Sequence, residues 1–170
     1  MSAESETGGV ISGARKKSTK ILYHFTALAH LKSIQRDGLT RGGVWTSPND
    51  GLNGVWLTAR NTSSGNGNPV ETVAGWWGKG DVRITVTIPR SDSCLFRWSR
   101  WGRKHCTPEW FDTLNDAGSH WRDWYIYFNL IPPEQFKAVD ILNPDAPREF
   151  PRENISMMPP LTSAFRRVGG

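Results

Sequence analysis

The chain has no apolar run approaching the roughly 18 residues that cross a bilayer, so no membrane-spanning helix and no membrane partner are expected. It has only two cysteines, Cys94 and Cys106, and no C-x-x-C pair. That argues against a disulfide framework and a cysteine zinc site, and it fits a reducing compartment. No metal is expected. The opening Met1-Ser-Ala-Glu-Ser-Glu-Thr-Gly-Gly lacks the charged start and apolar stretch of a secretory leader, which makes a cytoplasmic location the expectation. Acids are the scarcer charge: 16 Asp and Glu face 21 Lys and Arg, a net charge of +5. An anionic partner suits that excess, although many solvated surfaces carry as much.

What is present is the composition of one globular domain. A length of 170 residues, with 37% hydrophobic and 22% charged residues, is enough to bury a core and excludes a disordered chain. Residues 1–19 are rich in Ser, Gly, Glu and Lys without an apolar period and read as a flexible arm. A folded domain is expected over 20–145. Pro147, Pro151, Pro159 and Pro160 mark 146–170 as an extended strap or tail.

Between the tails, Ile21 to Phe25 reads as a short buried strand. Thr26 stands where a helix cap would, and Leu28, Leu31 and Ile34 recur at helical spacing until Gly38 stops the helix, after which Leu39 packs back. A Gly/Asn/Ser-rich stretch leads to a strand over Gly54–Thr58. Asn61–Asn68 reads as a loop and Pro69–Trp77 as a short helix. Val82–Ile88 alternates apolar and polar residues as a half-buried strand does, and Pro89 ends it. Cys94–Phe96 is a further short strand, Thr107-Pro108-Glu109 starts a helix, and Trp124–Phe128 and Ala138–Leu142 are strands around the turn at Ile131–Gln135. Short strands outnumber helices and do not alternate with them. The fold class is therefore α+β with a mostly antiparallel sheet and a few short helices.

The order strand–Tyr23-His24-Phe25-Thr26–helix–Gly38, then a strand ending Trp56-Leu57-Thr58, then an acid opening a late strand ahead of Ile131-Pro132-Pro133, resembles the ADP-ribosyltransferase superfamily. The first motif is most similar to the DNA-modifying bacterial toxin and RNA 2′-phosphotransferase branches. The resemblance implies a split antiparallel sheet and NAD⁺ as the ADP-ribose donor; a monomer is expected. It also implies a protein or nucleic-acid acceptor and a role as a toxin, defence or phage–host conflict factor. NAD⁺ hydrolysis and 2′-phosphotransfer are alternatives; the latter wants several arginines, for which Arg41 and Arg60 are available, but Tyr23 replaces the arginine usual before that histidine. A basic, tryptophan-rich binding or inhibitory protein on a degenerate scaffold is a third.

By that resemblance His24 holds the ribose beside nicotinamide and a late-strand acid drives transfer. Asp123 stands where the family carries glutamate, one methylene shorter; a structural ion pair to Arg122 is the plain alternative, and Glu71 and Glu109 are fallback acids. The chemistry asks for these types: cleaving the nicotinamide–ribose bond passes through an oxocarbenium-like state that a carboxylate stabilises. Tyr23, His24, Phe25, Thr26, Trp56, Thr58 and Arg60 are the candidate NAD⁺ contacts. For His24, Thr26 and Trp56 the competing roles are core histidine, helix cap and core packing; Arg60 is a pyrophosphate ligand or a solvated strand end. His30 reads as surface. Arg97, Trp98, Arg100 and Trp101 interleave aromatics with cations, which suits base stacking with phosphate contact and makes them candidate acceptor contacts. A solvated loop over inward tryptophans is the alternative.

Overall fold

The computed structural model describes residues 18–40, 42–63, 79–116 and 120–149. The expected helix over 69–77, Glu71, Arg41 and most of both expected tails lie outside the described residues. Among the described residues eight strands and three α-helices follow one another: β1 Thr19–Thr26, α1 Leu31–Asp37, β2 Gly43–Trp45, β3 Gly51–Asn53, β4 Val55–Thr58, β5 Val82–Pro89, β6 Leu95–Arg97, α2 Trp98–His105, α3 Pro108–Asp116, β7 Trp124–Tyr127 and β8 Phe136–Ile141. Six strands form one antiparallel sheet in the order β6-β7-β4-β1-β5-β8, and β2 and β3 form a separate hairpin. The α+β class with an antiparallel sheet is as the sequence suggests.

The sheet is unevenly joined. β1 pairs with β5 continuously from Thr19↔Pro89 to Thr26↔Val82, and β4 pairs with β7 along its whole length. Between β1 and β4 the registered pairing is Tyr23↔Thr58 alone. Two three-stranded halves, β1-β5-β8 and β4-β7-β6, therefore meet at a narrow seam.

Alternation along the strands divides the core in two, because directly opposed residues share a face. On one face Leu22, Leu57, Val82, Ile84, Val86 and Ile88 pack with Leu28, Leu39 and Ile131. The β-branched run of β5 explains this: its even positions are buried while Arg83, Thr85 and Thr87 point the other way. Each such buried aliphatic side chain contributes about 1.5–3 kcal/mol. On the second face Val44, Trp98, Trp101, Phe111, Trp124 and Ile126 gather beneath α2 and α3.

Several local expectations need correction. Thr26 is not a helix cap: it is the buried last residue of β1. Ala27 precedes a 3₁₀ turn over Leu28–His30 without a side-chain cap, and the Leu28 N–H donates to the distant Asp81 carboxylate at 3.3 Å. Gly38 does stop the helix; its φ of 79° is open to glycine, and a Cβ there would meet the Ile131 carbonyl. Leu39 then bridges Ile131 and is buried. The Gly/Asn/Ser-rich stretch holds the β2–β3 hairpin, across which the Trp45 ring lies against Gly43 and Gly51. The basic aromatic segment is α2 rather than a loop. Ala146 is buried in the first core, so ordered packing reaches past residue 145.

Candidate functional site

β1 and β4 are central neighbours, as the strand order requires, and His24 sits at the seam between them. The carbonyl oxygen of Trp56 lies 2.9 Å from His24 Nδ1. A carbonyl only accepts, so Nδ1 carries the proton and Nε2 keeps a lone pair. The imidazole thus takes over where the ladder stops. Burial pushes the His24 pKa down, partly opposed by this hydrogen bond, and the charges of Lys79 and His30 lower it further. The ring is neutral at neutral pH, with Nε2 an acceptor.

Alternation separates the candidate NAD⁺ contacts. His24 and Thr26 share the first face with Ile84 and Val82, whereas Tyr23 faces the other way with Thr58 and Thr85. Phe25 alternates with His24, and Trp56 belongs to the second core, where its indole N–H donates to the Gly43 carbonyl at 2.8 Å. Its ring meets Trp98 and Trp124 edge-on, with centroids 5.0 and 5.8 Å away. As joint NAD⁺ contacts, His24 and Trp56 therefore do not present their side chains to one face. Trp56 contributes its backbone carbonyl to the His24 side and its ring to the core.

Asp123 ends a 3₁₀ turn just ahead of β7. Its carbonyl accepts the Ala59 N–H at 2.9 Å, which carries the Thr58↔Trp124 register one residue further. Asp123 itself lies in the turn, outside the alternation of β7; within β7, Tyr125 shares the face of His24, and its ring lies 4.6 Å from Lys20 Nζ. β1 and β7 flank β4, about 10 Å apart. The alternative of an ion pair to Arg122 is not what forms: Asp123 pairs instead with Arg60, whose Nη1 is 3.9 Å from Asp123 Oδ2. Arg60 is held by a backbone hydrogen bond to the Thr58 hydroxyl at 3.2 Å. Its tip reaches solvent, yet its Nε is buried and has no hydrogen-bond partner among the described residues. A buried N–H of this kind is open to a further acceptor, such as a water or a ligand oxygen.

Lys79 is the residue the sequence reading missed. It lies in the turn before Asp81, and desolvation lowers its pKa to about 8. Its charge depresses both His24 and His30, so the exposed His30 belongs electrostatically to the same corner. The available signal was a lysine between two glycines directly ahead of a strand.

The chain matches no family model, no curated protein and no solved structure.

The remaining candidates lie elsewhere. Trp98 is fully buried with its indole N–H on Asn115 Oδ1 at 2.9 Å, and Trp101 is buried beside it, so neither offers a stacking surface. The Arg97 guanidinium donates twice to the Arg122 carbonyl, at 3.1 and 3.0 Å, while Arg100 is exposed. Glu109 is exposed on α3, in the layer over the second core. A hollow of about 220 Å³ lined by Arg103, Cys106, Pro108, Phe111 and Asp112 also lies there, and it holds none of the NAD⁺ candidates. Among the described residues no group of His, Cys, Asp or Glu is arranged to hold a metal, and no helix is long and apolar enough to cross a membrane.

Proposed function

We propose that the chain is an ADP-ribosyltransferase-type enzyme that uses NAD⁺ as donor and modifies a macromolecular acceptor, with its site on the His24 face of the central seam. One observation carries this reading: the hydrogen bond from His24 to the Trp56 carbonyl. It fixes a neutral imidazole with a free Nε2 acceptor at the junction of two half-sheets, which is what holding a ribose hydroxyl requires. The narrow seam agrees with the split sheet of that superfamily.

The residues fit the ligand in kind. Arg60 has an unused buried N–H and an exposed guanidinium tip, suited to a pyrophosphate oxygen. Lys79 adds a partly desolvated cation at the His24 corner. Thr58 acts as a positioning residue, through its bond to the Arg60 backbone. Tyr23, Phe25 and Trp56 support the seam from the opposite face.

In this account Asp123 carries the chemistry. As the bond between ribose C1′ and nicotinamide breaks, its electron pair leaves with the nicotinamide, which becomes neutral. The positive charge left on the sugar is stabilised by the Asp123 carboxylate. The acceptor's lone pair then bonds C1′, and the proton it sheds passes to Asp123. The shorter reach of aspartate is offset by its place on the turn before β7, where Ala59 and Arg60 hold it.

Thermal unfolding with NAD⁺ tests the binding half. At 100 times its dissociation constant the ligand adds about 2.7 kcal/mol. The expected result is a raised Tm that His24→Ala diminishes; an unchanged Tm at millimolar NAD⁺ contradicts the proposal.

A further inference from the structure

Helix α2 is anchored on one side and bare on the other. Trp98, Trp101 and Gly102 are buried, and the Trp98 ring packs on Phe111 with centroids 5.5 Å apart. A Cβ on Gly102 would lie 2.7 Å from the Trp98 ring one turn back in the same helix and 2.9 Å from the Phe111 ring of α3, so α2 and α3 are in close contact there. The helix is therefore rigid. Its solvent side presents Arg100, Arg103 and Lys104, all exposed, and α2 contains no acid. Positions 100, 103 and 104 are neighbours on a helix surface, where like charges repel. Arg97 and Arg122 stand at its start, the latter with its guanidinium 4.7 Å from the Trp121 ring. α3 carries Glu109, Asp112 and Asp116, and Asp112 shares the hollow with Arg103. Even so, among the described residues none of these five cations is within ion-pair distance of an acid.

We infer that the solvent side of α2 binds the phosphodiester backbone of a nucleic acid through Arg100, Arg103 and Lys104. A protein partner would want an apolar anchor at the centre of the contact. The two tryptophans of α2 that could serve point inward, leaving a rigid row of cations, two of them arginines that can meet a phosphate with paired hydrogen bonds. The helix's exposed aromatic, His105, is already stacked on Trp101, so the surface reads charge rather than sequence. Binding here is independent of the NAD⁺ reading, and its test contains no NAD⁺.

Fluorescence anisotropy of a labelled 20-base-pair duplex is measured against salt with the full chain. Three phosphate contacts give a slope of log K on log salt of about −2.7, roughly a 40-fold loss of affinity between 50 and 200 mM. The triple variant R100E/R103E/K104E is expected to bind at least 10-fold more weakly at 50 mM, with a slope shallower by about 2–3. Near-ultraviolet circular dichroism of the tryptophans checks that it is folded. If it is not, R100Q/R103Q/K104Q removes the same charges and is expected to flatten the slope equally. A matched control, R15E/K16E/K17E, carries the same charge change near the N-terminus. Three results overturn the inference: no duplex binding by the unaltered chain, unaltered binding by the α2 variants, or an equal loss in the control.

Discussion

His24 Nδ1 donates to the Trp56 carbonyl at 2.9 Å, joining β1 to β4 by a side chain where their backbone register ends at Tyr23↔Thr58. The bond ties a candidate ligand group to the centre of the sheet, so His24 variants affect binding and folding together. His24→Ala leaves the Trp56 carbonyl without this donor and is expected to cost about 1–3 kcal/mol in urea unfolding. His24→Asn, which retains a donor near Nδ1 but has no Nε2, should recover part of that stability without recovering NAD⁺ affinity. Equal recovery of both would assign His24 a purely structural role.

The depressed pKa of His24 also has a direction in pH. A histidine that binds its proton less readily when folded contributes stability that is complete above the unfolded value of about 6.5. That stability is lost as pH falls through the lowered folded pKa. The melting temperature should therefore drop faster below pH 6.5 in the unaltered chain than in His24→Gln. Parallel curves from pH 8 to pH 5 would show that the imidazole is not desolvated.

Lys79 acts in a higher range. Its folded pKa of about 8 lies below the ordinary 10.5, so the unfolded chain holds its proton more tightly between those values. Stability from this residue rises with pH across that window and is absent below about 8. Lys79→Met should raise the melting temperature at pH 7 and bring it near that of the unaltered chain at pH 10. It should also weaken NAD⁺ binding, if the cation faces pyrophosphate. A destabilised Lys79→Met at pH 7 would contradict the desolvation argument.

Asp81 joins three segments. Its carboxylate accepts the Leu28 N–H and the Asn143 side-chain amide at 3.1 Å, and its backbone carbonyl accepts the Leu142 and Asn143 N–H groups. Asp81→Ala strands the buried Leu28 donor and should cost about 1–3 kcal/mol. Asp81→Asn keeps an acceptor and should cost less. Urea unfolding of the two variants checks the order, and equal losses would show that charge, not acceptance, matters.

The buried tryptophan layer gives a packing prediction. Gly102→Ala forces a methyl group against the Trp98 and Phe111 rings, at 2.7 and 2.9 Å, an overpacking worth about 1–3 kcal/mol. Trp98→Phe removes the partner of buried Asn115 and opens space, costing at least as much. Both are read by thermal unfolding; a neutral Gly102→Ala would mean that α2 moves freely over the core.

Legibility in the sequence followed the physics of each segment. β5 was clear because its β-branched alternation reports one buried face, and α1 because Gly38 marks its end. α2 was opaque: Trp98-Ser-Arg-Trp101-Gly-Arg-Lys-His reads as a basic loop until its tryptophans are seen to recur three apart beneath a helix. The β2–β3 hairpin was hidden by glycines that serve to admit the Trp45 ring. At the candidate site, period two along β1 was enough to separate Tyr23 and Phe25 from His24, but the relation of Trp56 to His24 needed the β1–β4 register. Asp81 was invisible because its role depends on contacts with Leu28 and Asn143 far along the chain.

The most direct test is nicotinamide release, followed by chromatography after incubating the purified chain with NAD⁺, alone and with nucleic acid or cell protein as acceptor. The account predicts release by the unaltered chain and a fall of about 10²–10³ in Asp123→Asn, the scale for losing one well-placed electrostatic group, with NAD⁺ binding and melting temperature retained. Asp123→Glu should keep or raise the rate. No release under any of these conditions, or full release by Asp123→Asn, would contradict it.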